Sequence, residues 1–169
     1  MPRPNVVPTA QATNAIRHAV GGVPNIYQGV GNSAVALEGV LHIGEVLRKG
    51  QLTTVEIEAI KLAVSDAYGW NYCLAAHAMP GKGAGLIEEE VIGIRRAISQ
   101  KPKIAALVKF VHTAIQAKAR LSDTDVRVVK AAGYNDAQLT ETLLTLAQAV
   151  FTNLFNRVHQ TPMDFPPAV

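Results

Sequence analysis

The chain has 169 residues and a mass of 18.0 kDa; 49% of the residues are hydrophobic and 17% are charged. This size suits one domain, and the composition excludes a chain that is disordered or fibrous throughout. Sixteen basic and thirteen acidic residues give a net charge of +3 with the signs interspersed, which excludes a basic stripe for nucleic acid.

The hydrophobic pattern is helical nearly throughout, and no segment alternates with the period of two that is typical of a strand. After an extended, proline-rich start at 1–8, helices are predicted at 9–20, just after a break at 21–25, and at 32–48, 53–69, 70–79, 88–99, 102–119, 122–133 and 135–159. The tail at 162–167 is predicted to be extended. The sequence therefore predicts an all-α fold, with residues 1–169 in one domain.

Three boundaries have explicit signals. Gly50 is a candidate C-cap for the helix at 32–48. Thr53 and Glu56 have the spacing of a capping box. The Pro-Gly-Lys-Gly run at 80–83 predicts a break after the helix at 70–79.

The last helix carries more apolar surface than one buried face requires. Its helical stripe comprises Leu139, Leu143, Leu146, Val150, Leu154 and Val158, and Leu144, Phe151 and Phe155 widen it. Together with the mean hydropathy of +0.15, this breadth predicts a homo-oligomer.

Several further features are expected to be absent from this chain. No apolar run approaches the roughly 20 residues of a membrane helix, so no membrane partner is predicted. Residues 1–5 show no apolar signal region, so a cytoplasmic location is predicted. A single cysteine, Cys73, excludes an intrachain disulfide, and a zinc site on Cys73 and His77 lacks further ligands; no metal is predicted.

The stretch that carries chemistry is GWNYCLAAH at 69–77, near a predicted helix start. Cys73 and His77 are four residues apart and share a helix face. The helix dipole and an imidazolium both favour the thiolate, the form that attacks a peroxide or an acyl centre. The same spacing also fits a buried structural cysteine beside a histidine bonded to a backbone carbonyl, and spacing alone leaves both interpretations open.

A wider set of segments carries a family resemblance. They are VPN at 23–25, NSxxAL at 32–37, NYCLAAH at 71–77, GxGL at 83–86 before an acidic helix start, FTNLFN at 151–156 and DFP at 164–166. With them the chain resembles the AhpD-like alkylhydroperoxidase and carboxymuconolactone decarboxylase superfamily, most closely its peroxidase-related group. The resemblance implies an oligomeric AhpD-like helical bundle.

The resemblance also implies residue roles. Redox members have a CxxCxxxH motif and a glutamate fifteen residues before the second cysteine; here Cys73, His77 and Glu58 fall on the peroxide-attacking cysteine, the histidine and the glutamate. In the superfamily the glutamate and histidine relay a proton from that cysteine. Trp70 stands where the first, resolving cysteine would be. The implied cycle therefore uses one cysteine, and an external thiol or another subunit's thiol reduces its sulfenic acid.

Three further residues are pocket candidates. Trp70 either fills the space of the lost cysteine or walls the pocket, and these two interpretations stay open. Tyr72 offers a phenol that can donate a hydrogen bond but is no base at neutral pH. His42 lies on the helix at 32–48, from which it can face the same pocket.

The predicted function is reduction of organic hydroperoxides at Cys73, activated by His77 and Glu58, without a prosthetic group and with an external thiol as reductant. One alternative is a non-redox lactone or decarboxylation reaction that uses His77 and leaves Cys73 a bystander. Another is a divergent, non-catalytic member of the family, for which a thiol pKa near 8.5 would be typical.

Overall fold

The computed structural model describes residues 23–168, and all regular structure within that range is helical. The helices are α1 (Asn25–Val30), α2 (Ala34–Leu47), α3 (Thr54–Tyr68), α4 (Asn71–Gly83), α5 (Glu88–Arg95), α6 (Pro102–Gln116), α7 (Asp123–Ala131) and α8 (Asp136–His159). The all-α prediction is confirmed. The predicted extended start and the helix at 9–20 lie outside the described residues.

Helix α3 is the centre of the bundle and packs against α4, α5, α6 and α8. It begins at the predicted capping box: Thr53 accepts a hydrogen bond from the Glu56 backbone, and the Glu56 carboxylate accepts one from the Thr53 backbone. It ends at Gly69, whose φ of 64° is the left-handed conformation that glycine adopts without strain. This buried helix supplies Glu58.

Helix α4 begins at Asn71, two residues after Gly69, and Trp70 is its N-cap residue. The predicted break at 80–83 is wrong, because α4 continues through Pro80 to Gly83. Gly81 permits this last turn, since a Cβ there would lie 3.1 Å from Leu86. The turn closes when the Leu86 N–H donates to the Gly81 carbonyl at 3.0 Å.

Other helix ends also differ from prediction. Gly50 is not the C-cap of α2; Arg48 takes that position in a right-handed conformation. Helix α5 stops at Arg95 rather than at 99, because Ala97 has a φ of 57°. Helix α6 stops at Gln116 rather than at 119, because residues 118 and 119 also have positive φ. Periodicity cannot place such left-handed turns when glycine is absent.

Helix α8 turns its polar side chains inward. Its buried polar residues are Thr142, Thr145, Gln148, Thr152, Asn153 and Asn156. Its exposed large apolar residues are Leu143, Leu144, Phe151, Leu154 and Val158. The polar stripe faces α3 and the candidate site, so α8 provides the site with hydrogen-bonding groups. Within residues 23–168, no helix is both long and apolar enough to cross a membrane.

Candidate active site

A cavity of about 370 Å³ lies among α1, α2, α3, α4 and α8. Its walls are largely apolar, with Ile26, Val40, Leu41, Leu47, Ile57 and Phe165 among the lining residues. Four residues singled out from the sequence also line it: Cys73, His77, Glu58 and Tyr72. Helices α3 and α4 thus bring the thiol, the imidazole and the carboxylate to one small, mostly apolar space.

Glu58 is the ionic centre of this cavity. Its Oε2 lies 2.9 Å from Nδ1 of His77, and its Oε1 accepts from Nζ of Lys61 at 3.4 Å. The glutamate side chain is only 9% exposed. Burial raises the pKa of Glu58, but the charge of Lys61 and the hydrogen-bonded His77 more than offset burial, and the net pKa is lowered. Glu58 is therefore a buried carboxylate rather than a surface partner of Lys61.

The carboxylate fixes the orientation of the His77 ring. An ionised carboxylate only accepts hydrogen bonds. The proton of this hydrogen bond is therefore on Nδ1 of His77, which donates to Glu58. In the neutral ring the lone pair then lies on Nε2, which is free to accept a proton. The pair has the arrangement of a general base held by a carboxylate.

Cys73 is 2% exposed, and its sulfur bonds to α8 rather than to His77. Nδ2 of Asn156 donates to Sγ at 3.1 Å, whereas the Thr152 hydroxyl donates to the Ala149 carbonyl at 3.0 Å. Burial raises the pKa of Cys73 to about 11, although the Asn156 hydrogen bond and the nearby Thr152 hydroxyl lower it. Of the two interpretations that spacing left open, the resting thiol therefore resembles the buried one, because desolvation of the anion dominates its pKa.

Asn156 and Thr152 lie in the FTNLFN segment at 151–156, but no motif in the sequence indicates their position beside the sulfur. Asn156 is 83 positions from Cys73 in the chain, so local spacing gives no indication of the contact. The signal that could have indicated this position is the row of polar residues in α8, which recur at helical spacing and face inward. A polar stripe inside a long apolar helix points to a buried polar site.

Tyr72 lines the cavity and also holds the C-terminal tail. Its hydroxyl accepts a hydrogen bond from the Ile26 backbone at 3.2 Å and bonds the Asp164 carboxylate. Its ring meets Phe165 edge-on, with centroids 5.4 Å apart. Burial raises the pKa of Tyr72 further above its usual value, so the phenol stays protonated. The tail thereby forms part of the cavity wall.

The structure does not bring the other two pocket candidates to the cavity lining. Trp70 packs against the small core cluster that contains Cys73 and Tyr72, and its Nε1 is buried without a hydrogen-bond partner among the described residues. His42 lies on an exposed part of α2. Trp70 therefore packs in the cluster that contains the thiol, and His42 lies outside the cavity lining.

Metal binding receives no support from side-chain clusters. In the part of the chain that the structure describes, no group of three or more His, Cys, Asp or Glu residues is placed to hold a metal ion.

No family model matches the sequence, and no curated protein matches it. Solved structures do resemble the chain. A peroxidase-related protein from Ralstonia eutropha, described as an alkylhydroperoxidase AhpD core, superposes with a TM-score of 0.83 at 17% identity over 97% of this chain and 91% of its own. A peroxidase-related protein from a Silicibacter species gives a TM-score of 0.75 at 20% identity over 98% and 88%.

The debrominase Bmp8 gives a TM-score of 0.76 at 15% identity over 90% of this chain and 84% of its own. A cysteine-to-alanine variant of Bmp8, in complex with 2,3,4-tribromopyrrole, superposes with a TM-score of 0.78. These similarities show that the chain has the AhpD-like helical fold.

Proposed function

We propose that this chain, which has the fold of the AhpD-core peroxidase-related proteins, reduces small organic hydroperoxides with Cys73 as its only redox thiol. The observation that carries the proposal is the convergence of the Cys73 thiol and the Glu58-bonded His77 on one apolar cavity. A hydroperoxide with an apolar body suits these walls.

The first step oxidises sulfur. The Cys73 thiol passes its proton to Nε2 of His77, directly or through one water, and the thiolate attacks the outer oxygen of ROOH. The O–O bond breaks, the sulfur becomes a sulfenic acid, and the alkoxide takes the proton from His77 and leaves as ROH. The balance is Cys–SH + ROOH → Cys–SOH + ROH.

Proton transfer is required because the resting thiol is protonated. With a pKa of about 11, only about one Cys73 in ten thousand is ionised at pH 7. His77, held by Glu58, is the base that accepts this proton. The Asn156 amide then stabilises the anion as it forms.

Two external thiols complete the cycle. One attacks the sulfenic acid, releases water and forms a mixed disulfide with Cys73; a second restores the Cys73 thiol and leaves as a disulfide. Trp70 cannot resolve the sulfenic acid, and Cys73 is the only cysteine of the chain. Because Cys73 is only 2% exposed, a small thiol that enters the cavity suits this step better than a protein thiol does.

Steady-state consumption of cumene hydroperoxide in the presence of a small dithiol tests the proposal. Activity must be lost in Cys73→Ser and reduced in His77→Ala, whereas His42→Ala, outside the cavity, must retain it. Unchanged activity in Cys73→Ser would overturn the proposal.

A second candidate function is reductive removal of halogen from a small aromatic ring. The observation that favours it is the similarity to Bmp8, whose cysteine-to-alanine variant was crystallised with tribromopyrrole. The overall balance is ArBr + 2 RSH → ArH + RSSR + HBr, with Cys73 taking the bromine before an external thiol reduces it. Bromide release from tribromopyrrole, lost in Cys73→Ser, would support it; absence of release by an active peroxidase would exclude it.

The outer face of α8 supports assembly as a homo-oligomer. Leu144, Phe151, Leu154 and Val158 are all exposed, and with Ala147 they recur at alternating spacings of three and four residues. That spacing is typical of a helix that packs along another helix. We propose that a second copy of this chain covers this face. The apolar stripes of two α8 helices, one from each copy, would then pack against each other.

A further inference from the structure

One cation that lines the cavity, Arg48, has no directly bonded carboxylate among residues 23–168. The charged lining residues of the cavity are Arg48, Glu58, Lys61 and His77. Glu58 is shared by Lys61 and His77, at 3.4 Å and 2.9 Å. Arg48 forms no hydrogen bond or ion pair with any residue in the range 23–168, and the nearby carboxylate of Glu45 is bonded to Lys49 at 2.6 Å.

Arg48 is directed back along its own helix. It is the C-cap residue of α2, yet its Nη1 lies 3.8 Å from the point that a Cβ on Gly44 would occupy. If the Arg48 side chain extended straight into solvent, it would contact neither Gly44 nor the cavity. Arg48 is itself exposed, so the guanidinium lies where the cavity opens to solvent.

A second unpartnered donor lies beside it. Tyr27 lines the same cavity, and its hydroxyl forms no hydrogen bond with any described residue. Burial raises the pKa of Tyr27 and the charges of Glu58 and Cys73 add to it, whereas the charge of Arg48 lowers it. The phenol is therefore protonated, and it lies close enough to the Arg48 guanidinium and to the Cys73 sulfur for both to influence its ionisation.

We propose that Arg48 and Tyr27 form an anion subsite at the cavity opening, and that the substrate is a hydroperoxide whose apolar body carries a carboxylate. The guanidinium matches a carboxylate with two parallel hydrogen bonds. The carboxylate then stays at the wet end of the cavity while the body occupies the apolar walls. Glu58 does not repel it strongly, because Lys61 already compensates its charge and the His77 ring hydrogen-bonds its other oxygen. This inference rests on the proposed function.

The subsite is tested by binding rather than by turnover, on the Cys73→Ser chain. Two unreactive probes of the same shape are titrated by calorimetry: 4-isopropylbenzoate, which carries the charge, and 4-isopropylbenzyl alcohol, which does not. We expect the acid to bind about tenfold more tightly than the alcohol, the size of one charge-assisted hydrogen-bonded pair. In Arg48→Gln this preference must fall to about twofold or less, and in Tyr27→Phe it must decrease by a smaller factor.

Arg96→Gln is the matched control. Arg96 is also an exposed C-cap arginine, on α5, but it does not line the cavity. It must leave the preference for the acid intact. Equal binding of acid and alcohol, or a preference that survives Arg48→Gln, would overturn the subsite. Arg48-dependent binding of the acid by a chain whose wild type consumes no hydroperoxide would retain the subsite and refute the proposed function instead.

Discussion

Nδ2 of Asn156 donates a hydrogen bond to Sγ of Cys73 across 3.1 Å, and both side chains are buried. The contact joins the long helix α8 to the short helix α4 at the sulfur atom. A donor directed at sulfur stabilises the thiolate rather than the thiol. The fold thus opposes ionisation by burial and favours it by a fixed donor, which makes the thiol inert at rest and reactive once its proton is removed.

Loss of the Asn156 donor is expected to slow the reaction of the Cys73 thiol with electrophiles. Asn156→Leu preserves the approximate volume and removes the hydrogen bond, so the pKa of Cys73 rises further. Alkylation by iodoacetamide at pH 8 is expected to fall about tenfold, which corresponds to one pKa unit. Thr145→Val is the control, because Thr145 is buried on the same face of α8 and bonds only a backbone carbonyl. Unchanged alkylation in Asn156→Leu would show that this hydrogen bond has no role in ionisation.

Glu58 acts through His77, so its substitution must reduce the rate without removing the nucleophile. Glu58→Gln retains the shape of the side chain but removes the carboxylate that orients the ring. Sulfenic acid formation with cumene hydroperoxide is expected to slow about 100-fold, within the range for general base catalysis. The measurement is single-turnover rapid mixing.

Glu90→Gln serves as the control for that variant. Glu90 also pairs with a lysine, at 2.9 Å from Lys101, and lies outside the cavity. Its rate should stay within about twofold of wild type, since no group in the cavity changes. A Glu58→Gln rate as high as that of Glu90→Gln would refute the paired-base role.

The raised pKa of Cys73 predicts a specific pH dependence of stability. The folded pKa of about 11 exceeds that of an unfolded thiol, near 8.5. Stability from this group is therefore fully present below about pH 8.5 and is lost as the pH rises towards 11, by on the order of 3 kcal/mol. Urea titrations from pH 7 to 10.5 should show a steeper loss in wild type than in Cys73→Ser. Parallel losses would contradict the buried, protonated thiol.

If the outer face of α8 is the interface between copies, a single charged substitution on that face is expected to dissociate the oligomer. Leu154 is 49% exposed in the single chain, and Leu154→Glu places a carboxylate among the exposed apolar residues. Light scattering at micromolar concentration should report an oligomer for wild type and a monomer for this variant. Val128→Glu, on α7 and equally exposed at 54%, should leave the assembly intact. A monomeric wild type would refute the proposal.

Local signals in the sequence placed most of the helices. The Thr53 capping box and Gly69 mark the two ends of α3, since each signal lies within a few residues of the boundary that it predicts. Pro80 misled the prediction because its cost is offset by tertiary packing around Gly81. Ala97 misled it because a positive φ at alanine leaves no trace in composition.

The candidate site likewise contains residues that local sequence signals place and residues that only tertiary packing places. Cys73 and His77 share a helix, so their common face followed from spacing alone. The position of Glu58 came from the family resemblance, and its 2.9 Å contact with His77 from the packing of α3 on α4. Asn156 and Arg48 could not be placed from local rules, because each reaches the site only through contacts between distant helices. The raised pKa of Cys73 could not be predicted from the sequence, because burial depends on the whole bundle.

Trapping of the Cys73 sulfenic acid tests the central claim most directly. The reduced protein is mixed with one equivalent of cumene hydroperoxide and then with a sulfenic-acid probe, and the adduct is followed by intact mass over seconds to minutes. The proposed function predicts rapid labelling at Cys73 that slows in both His77→Ala and Glu58→Gln. Labelling no faster than that of a free thiol would contradict the proposed function and favour a non-redox reaction at His77.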